Sequence, residues 1–273
     1  MQRRFCYFIM LALIGCDQVS IDFFDLGAFR VMALVVDQPE VDGSVNTTVT
    51  ITPWISDIQA GGRSVALDIL ACPDPGIALG QDPTCDQSLA STQIVSYADF
   101  DTSAWAAQNY TGALPAFNVM IPAGLLVGLS SMQQFNGIDY IVSIVFTVGE
   151  DVISGFKRIK VSSNPAPNLN PKMERIDVNG SDTATAEDGA MVTYQIVPGF
   201  EAEDFQRFDQ DGDLVDATEE YIVTWFVYSG TLSLSRSEPE DKAVFQDDQD
   251  NSDIPIIVGV LRDGRGGADV LVR

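Results

Sequence analysis

The chain has 273 residues, room for one large or two ordinary domains. Its 46% hydrophobic and 20% charged residues are the composition of a folding chain. Lys and Arg number 15 against 39 Asp and Glu, a net charge of −24 that excludes a basic surface for nucleic acid. The complete absence of histidine removes Ser-His-Asp, Cys-His and His-ligated zinc chemistry.

Residues 1–16 read MQRRFCYFIMLALIGC. A short basic start (Arg3, Arg4) precedes an apolar run, Phe5 to Ile14, too short for a permanent membrane span. Leu13-Ile14-Gly15-Cys16 resembles the end of a bacterial lipoprotein signal. The resemblance implies diacylglycerol on the Cys16 thiol, cleavage before that residue and acylation of the new amino end. The membrane is then a partner through the lipid, and several acyl chains hold firmly where one is marginal. It also implies a bacterial cell envelope location, at the outer membrane or cell surface in preference to the inner membrane, although Asp17 is an inner-membrane retention signal in enteric bacteria. An ordinary secretory signal with a cysteine near its end is the competing reading. Residues 17–27 follow as a tether.

Beyond the signal, alternation of apolar and polar residues dominates and helical periodicity is scarce. Within residues 28–162, strands are predicted at Arg30 to Val36, Thr47 to Trp54, Ser64 to Ala71 and Ala116 to Ile121. Tyr140 to Val148, a Gly-Glu-Asp turn and Val152 to Val161 read as a terminal hairpin. Cys72 and Cys85 bracket a Pro/Gly/Asp loop, and an even pair in an exported chain reads as a disulfide. A short helix is predicted over Thr102 to Gln108, capped by Asp101 or Thr102. Around it cluster Tyr97, Phe100, Trp105 and Tyr110. Exposed, Tyr97, Trp105 and Tyr110 could form a platform for sugar rings or a protein partner; buried, they close the edge of the sheet.

Residues 163–171, with three Pro and three Asn together with Ser162 in SSNPAPNLNP, interrupt every pattern and read as an extended linker. Residues 172–273 repeat the plan. Strands are predicted at Met173 to Val178, Ala190 to Val197 and Tyr221 to Tyr228, and a closing hairpin joins Ile254 to Leu261 with Ala268 to Val272 through the turn RDGRGG. The segment FDQDGDLVDATEE spaces Asp209, Asp211, Asp213 and Glu220 as positions one, three, five and twelve of a calcium loop, with Asp216 as a substitute ligand. Leu214 stands where that loop needs its glycine, so the expectation is a weak, structural Ca²⁺ site between strands. The alternative is a solvated acidic turn. A second acidic run, Asp247, Asp248, Asp250 and Asp253, is irregularly spaced and reads as a solvated loop.

Short strands separated by turn signals make the expected fold all-β, two tandem antiparallel sandwiches. In this the chain resembles the immunoglobulin-like and PKD-like modules of bacterial surface lipoproteins, including those of predatory and gliding bacteria. Trp225 stands in TWFVY where such a strand often buries its tryptophan. Neither module has the inter-sheet cysteine pair of antibody domains. No pair among 39 carboxylates is singled out as glycosidase acid and base, so no catalytic residue is assigned and the chain is expected not to be an enzyme. The expectation is an envelope lipoprotein acting as an interaction or spacer module with an envelope protein or glycan partner. The alternative is a carbohydrate-binding, adhesive lipoprotein using the first-module aromatics.

Overall fold

The computed structural model describes residues 24–76, 84–182, 192–246 and 255–273. Among the described residues strands make up 52% and helices 6%, arranged in several antiparallel sheets with no barrel, so the chain is an all-β sandwich protein. No helix among the described residues is long and apolar enough to cross a membrane. Cys16 and the run Asp247, Asp248, Asp250 and Asp253 lie outside the described residues.

The first half contains β1 (Arg30–Val36), β2 (Glu40–Asp42), β3 (Thr47–Ser56), β4 (Ser64–Pro73), β5 (Gln93–Val95), β6 (Phe100–Asp101), a 3-10 helix (Thr102–Gln108), β7 (Thr111–Ala113), β8 (Phe117–Ile121), α1 (Ser131–Asn136), β9 (Ile138–Val148) and β10 (Asp151–Ser162). One sheet runs β1-β3-β7, with β8 also on β3. The facing sheet runs β2-β10-β9-β4-β5, with β6 also on β4. The alternation in β3 buries Val49, Ile51 and Ile55, which meet Val65, Leu67 and Ile69 of β4 and Ile144, Phe146 and Val148 of β9 in one core. Each such aliphatic side chain contributes about 1.5–3 kcal/mol on burial. The predicted helix at Thr102–Gln108 is a 3-10 helix, with the Asp101 carboxylate accepting from the Ser103 amide.

The second half contains β11 (Met173–Val178), β12 (Val192–Pro198), β13 (Asp204–Phe208), β14 (Leu214–Thr218), β15 (Ile222–Tyr228), β16 (Thr231–Leu232), β17 (Arg236–Ser237), β18 (Ala243–Gln246), β19 (Ile256–Arg262) and β20 (Ala268–Val272). Sheets β11-β12-β18-β16 and β17-β15-β19-β20 face each other, while among the described residues β13 and β14 pair only with one another. Trp225 is fully buried between the sheets, its indole N–H donating to Ser237 Oγ at 3.0 Å. The sheets approach closely at Gly259, where a Cβ would lie 2.7 Å from Ile196 Cδ1.

A third apolar core joins the halves. Val223, Trp225 and Val227 of β15 face their own sandwich, but Phe226 points the other way and packs with Val258, Val260 and Val270. Ile256 of β19, Met32 and Ala33 of β1 and Leu26 complete this cluster. A register shift between Val31 and Ala33 places both Met32 and Ala33 in it, while Leu34 and Val36 stay in the first core. Leu26 is fully buried, its amide donating to the Val227 carbonyl while the Val227 amide donates to the Phe24 carbonyl, each at 2.9 Å. Residues 24–27 of the expected tether are therefore packed, with residues 24–26 lying as a short parallel extension along β15.

Candidate functional site

The segment expected to be an extended linker is keyed into both halves by its asparagines. Asn168, 2% exposed, donates its backbone amide to Glu40 Oε2 at 2.8 Å and its side-chain amide to Asp263 Oδ2 at 2.9 Å. Asn170 donates to the Val36 carbonyl at 2.5 Å and accepts from the Ala268 amide at 3.1 Å. The turn after β19 supplies the opposite charge. Arg265 reaches Glu40 Oε2 at 3.2 Å and Glu219 Oε1 at 3.0 Å, and its guanidinium lies 4.1 Å from the centre of the Phe205 ring. Asp263, 1% exposed, holds this turn by accepting from the amides of Arg265 and Gly267. A Cβ at position 267 would sit 2.1 Å from Asp263 Oδ2 and 2.7 Å from Pro171 Cδ, which is why the turn needs glycine there.

Two cations enter the joint from opposite sides. Lys157 of β10 donates to the Gly266 carbonyl, and burial pushes its pKa down to about 8 against the pull of Asp263. Arg262 of β19 donates to the Met32 carbonyl at 3.0 Å and to Thr224 Oγ1 at 2.8 Å. Burial raises the Glu219 pKa, and nearby Asp263 adds to the rise. Removing one member of such a buried ion pair typically costs ~3–5 kcal/mol, because the other charge is left uncompensated.

Above this floor opens a cleft of about 920 Å³. One wall is the first sandwich, where Arg158 and Lys160 alternate along β10. Lys160 pairs with Asp139 at 2.7 Å, and Arg158 Nε reaches Asp74 at 2.7 Å. The other wall is the hairpin β13–β14. Its Phe208 exchanges backbone hydrogen bonds with the Asn136 side chain, both at 2.8 Å, so the side-chain amide acts as a third strand would. Phe135 meets the Phe208 ring edge-on with centres 5.3 Å apart. A second concavity of about 830 Å³, on the far side of Glu219 and Glu220, has Glu201, Glu238, Glu240 and Tyr221 among its lining and no basic residue.

The expected calcium set is drawn apart by this hairpin. Asp209, Asp211 and Asp213 surround its turn, but Asp209 Oδ1 already accepts from the amides of Asp211 and Asp213 at 3.0 and 2.9 Å. Asp216 lies along β14, accepting from Gln206 at 2.9 Å. Glu220 stands beyond β14, separated from Asp213 by an extended run of about 20 Å. Among the described residues no three acids or cysteines converge as a metal site. The five residues thus do not form one ligand set: a hairpin strand replaces the loop that would bring Glu220 back.

Cys72 and Cys85 form the expected disulfide, with Cα atoms 5.9 Å apart, packed against Ile141. The aromatic platform is half-buried, with Tyr97, Phe100 and Trp105 packed against the first core. Trp105 packs on Phe100 with ring centres 5.1 Å apart, and Tyr97 meets Phe117 edge-on while its hydroxyl donates to the Pro115 carbonyl. Asn109 and Tyr110 both take left-handed backbone angles, which lays Tyr110 beside Gly62, where a Cβ would lie 2.7 Å from its ring.

The joint escapes sequence reasoning because Glu40 and Arg265 are 225 positions apart. The one available signal is the recurrence of Asn in the linker, three polar side chains where a simple spacer needs none.

No family model matches the chain, and no curated protein matches it. Among solved structures, the sporulation control protein Spo0M of Bacillus subtilis aligns over 90% of this chain and 89% of its own, at 11% identity and a TM-score of 0.24. The β-glucuronidase of Parabacteroides merdae aligns over 88% of this chain and 24% of its own, at 11% identity and a TM-score of 0.20. At these scores neither likeness carries a statement about activity.

Proposed function

We propose that the chain is a lipid-anchored, non-enzymatic interaction module of the bacterial envelope, which presents two sandwiches to a partner as one stiff unit. The observation that carries this reading is the joint. Arg265 between Glu40 and Glu219, the two linker asparagines and the Phe226 cluster leave the halves no free hinge. That modifies the expected spacer arm, since a flexible spacer needs an exposed, unpaired linker. The anchor is supported by the signal sequence ending in Cys16. Cys16→Ser is expected to move the protein from the membrane pellet to the soluble envelope fraction. Failure of labelled palmitate to enter the wild type would overturn the anchor.

A carbohydrate-binding role is the second reading, favoured by the polar cleft between the halves and not by Tyr97, Trp105 and Tyr110. Calcium is supported only by the spacing of Asp209, Asp211 and Asp213 round one turn. A melting temperature that does not move in millimolar Ca²⁺ removes it.

A further inference from the structure

In a chain with 39 acids and 15 bases, four bases line one cleft beside five acids. Three of those acids, Glu40, Glu219 and Asp263, are sunk in the floor and already accept from Ser162, Asn168, Arg265, Glu203 and Gly267. A ligand meets the rim instead. Arg158 and Lys160 stand on one face of β10, each side chain about a third exposed, with Asp139 beside them. Across the gap are Arg207 and Glu220, both exposed. Arg158 donates to Asp74 through Nε and lies 5.0 Å over the Phe156 ring, and Arg207 has no ion-pair partner among the described residues.

This mixture selects a ligand chemistry. A hydrocarbon would have to strip water from charged groups without replacing their hydrogen bonds. A simple cation meets three bases at the rim, and a compact anion meets Asp139 and Glu220. A ligand dense in hydroxyls satisfies both signs, because each hydroxyl donates to a carboxylate and accepts from a guanidinium or ammonium. Its C–H faces suit the Phe135 and Phe208 rings in the same walls. The volume lies within the ~300–1,000 Å³ usual for ligand pockets.

We propose that the cleft between the two sandwiches is a saccharide-binding site, with Arg158, Lys160 and Arg207 as the hydroxyl-binding cations and the hairpin β13–β14 as its outer wall. A two-stranded ribbon is marginal alone, so the Asn136–Phe208 contact sets the width of the cleft. The site deepens the carbohydrate reading above by giving it a location. It rests on the joint and not on the lipid, so fractionation and sugar binding can fail separately.

The test is calorimetric titration of the full-length Cys16→Ser chain with chitohexaose, cellohexaose and hexagalacturonate, the last distinguishing an acidic from a neutral sugar. Saturable binding of at least one is expected, weakened about tenfold by Arg207→Ala and by Arg158→Ala, and unchanged by Trp105→Ala. Arg207 is exposed and unpaired among the described residues, so its variant keeps the wild-type melting temperature, which serves as the control for folding. No binding of any of the three sugars to the folded chain overturns the proposal. So does binding that survives Arg207→Ala but is lost in Trp105→Ala.

Discussion

Lys157 holds its ammonium against the Gly266 carbonyl inside the joint, where burial lowers its pKa from 10.5 to about 8. Between those values the folded chain binds fewer protons than the unfolded one. Stability therefore rises as the pH climbs from about 8 towards 10.5, and the destabilisation is fully present below 8. The whole effect is on the order of 3 kcal/mol. Urea unfolding of wild type and Lys157→Met between pH 8 and pH 10 is expected to show the rise only in the wild type; parallel curves would contradict a lowered Lys157 pKa. Glu219 works with the opposite sign. Its folded pKa is raised, so the stability it costs at neutral pH is regained as the pH falls through that value. Neither residue announces itself in the sequence, because its burial comes from segments far away in the chain. Trp225 and the cysteine pair were legible, since their signals are local: an apolar strand around one, a Pro/Gly loop between the others.

At the scale of elements, long strands were legible to within a few residues, and short ones were not. Arg30–Val36, Met173–Val178 and Ala268–Val272 match their expected bounds because alternation over five or more residues is specific. Two-residue strands such as Phe100–Asp101 carry no period. The hairpin β13–β14 was masked by its own acids, which read as a ligand loop, although Phe205, Arg207, Val215 and Ala217 share one face of a ribbon. The unbroken apolar run in β15 was also informative: strands buried on both faces lose their alternation, and here the second face is the joint. The disulfide tethers the end of β4 to a loop and crosses no distant elements. Cys72→Ala with Cys85→Ala is expected to cost about 3 kcal/mol. Faster amide exchange should follow in β5, with protection in β3 kept; equal loss in both strands would mean that the bridge holds the core.

For the whole molecule, the repeated plan and the Pro/Asn composition of residues 163–171 lead to two tandem sandwiches on an extended linker. What the composition could not convey is that residues 24–26, β1, β15, β19 and β20 bury a common apolar cluster, closed at its rim by charges from both ends of the chain. Independent modules unfold separately, whereas modules sharing a core unfold together. Scanning calorimetry of the full-length Cys16→Ser chain measures this most directly. A single transition is expected, with calorimetric and van't Hoff enthalpies equal, and Arg265→Ala with Val258→Asp should split it into two. Two separate transitions in the parent chain, unaffected by those substitutions, would contradict the fused joint.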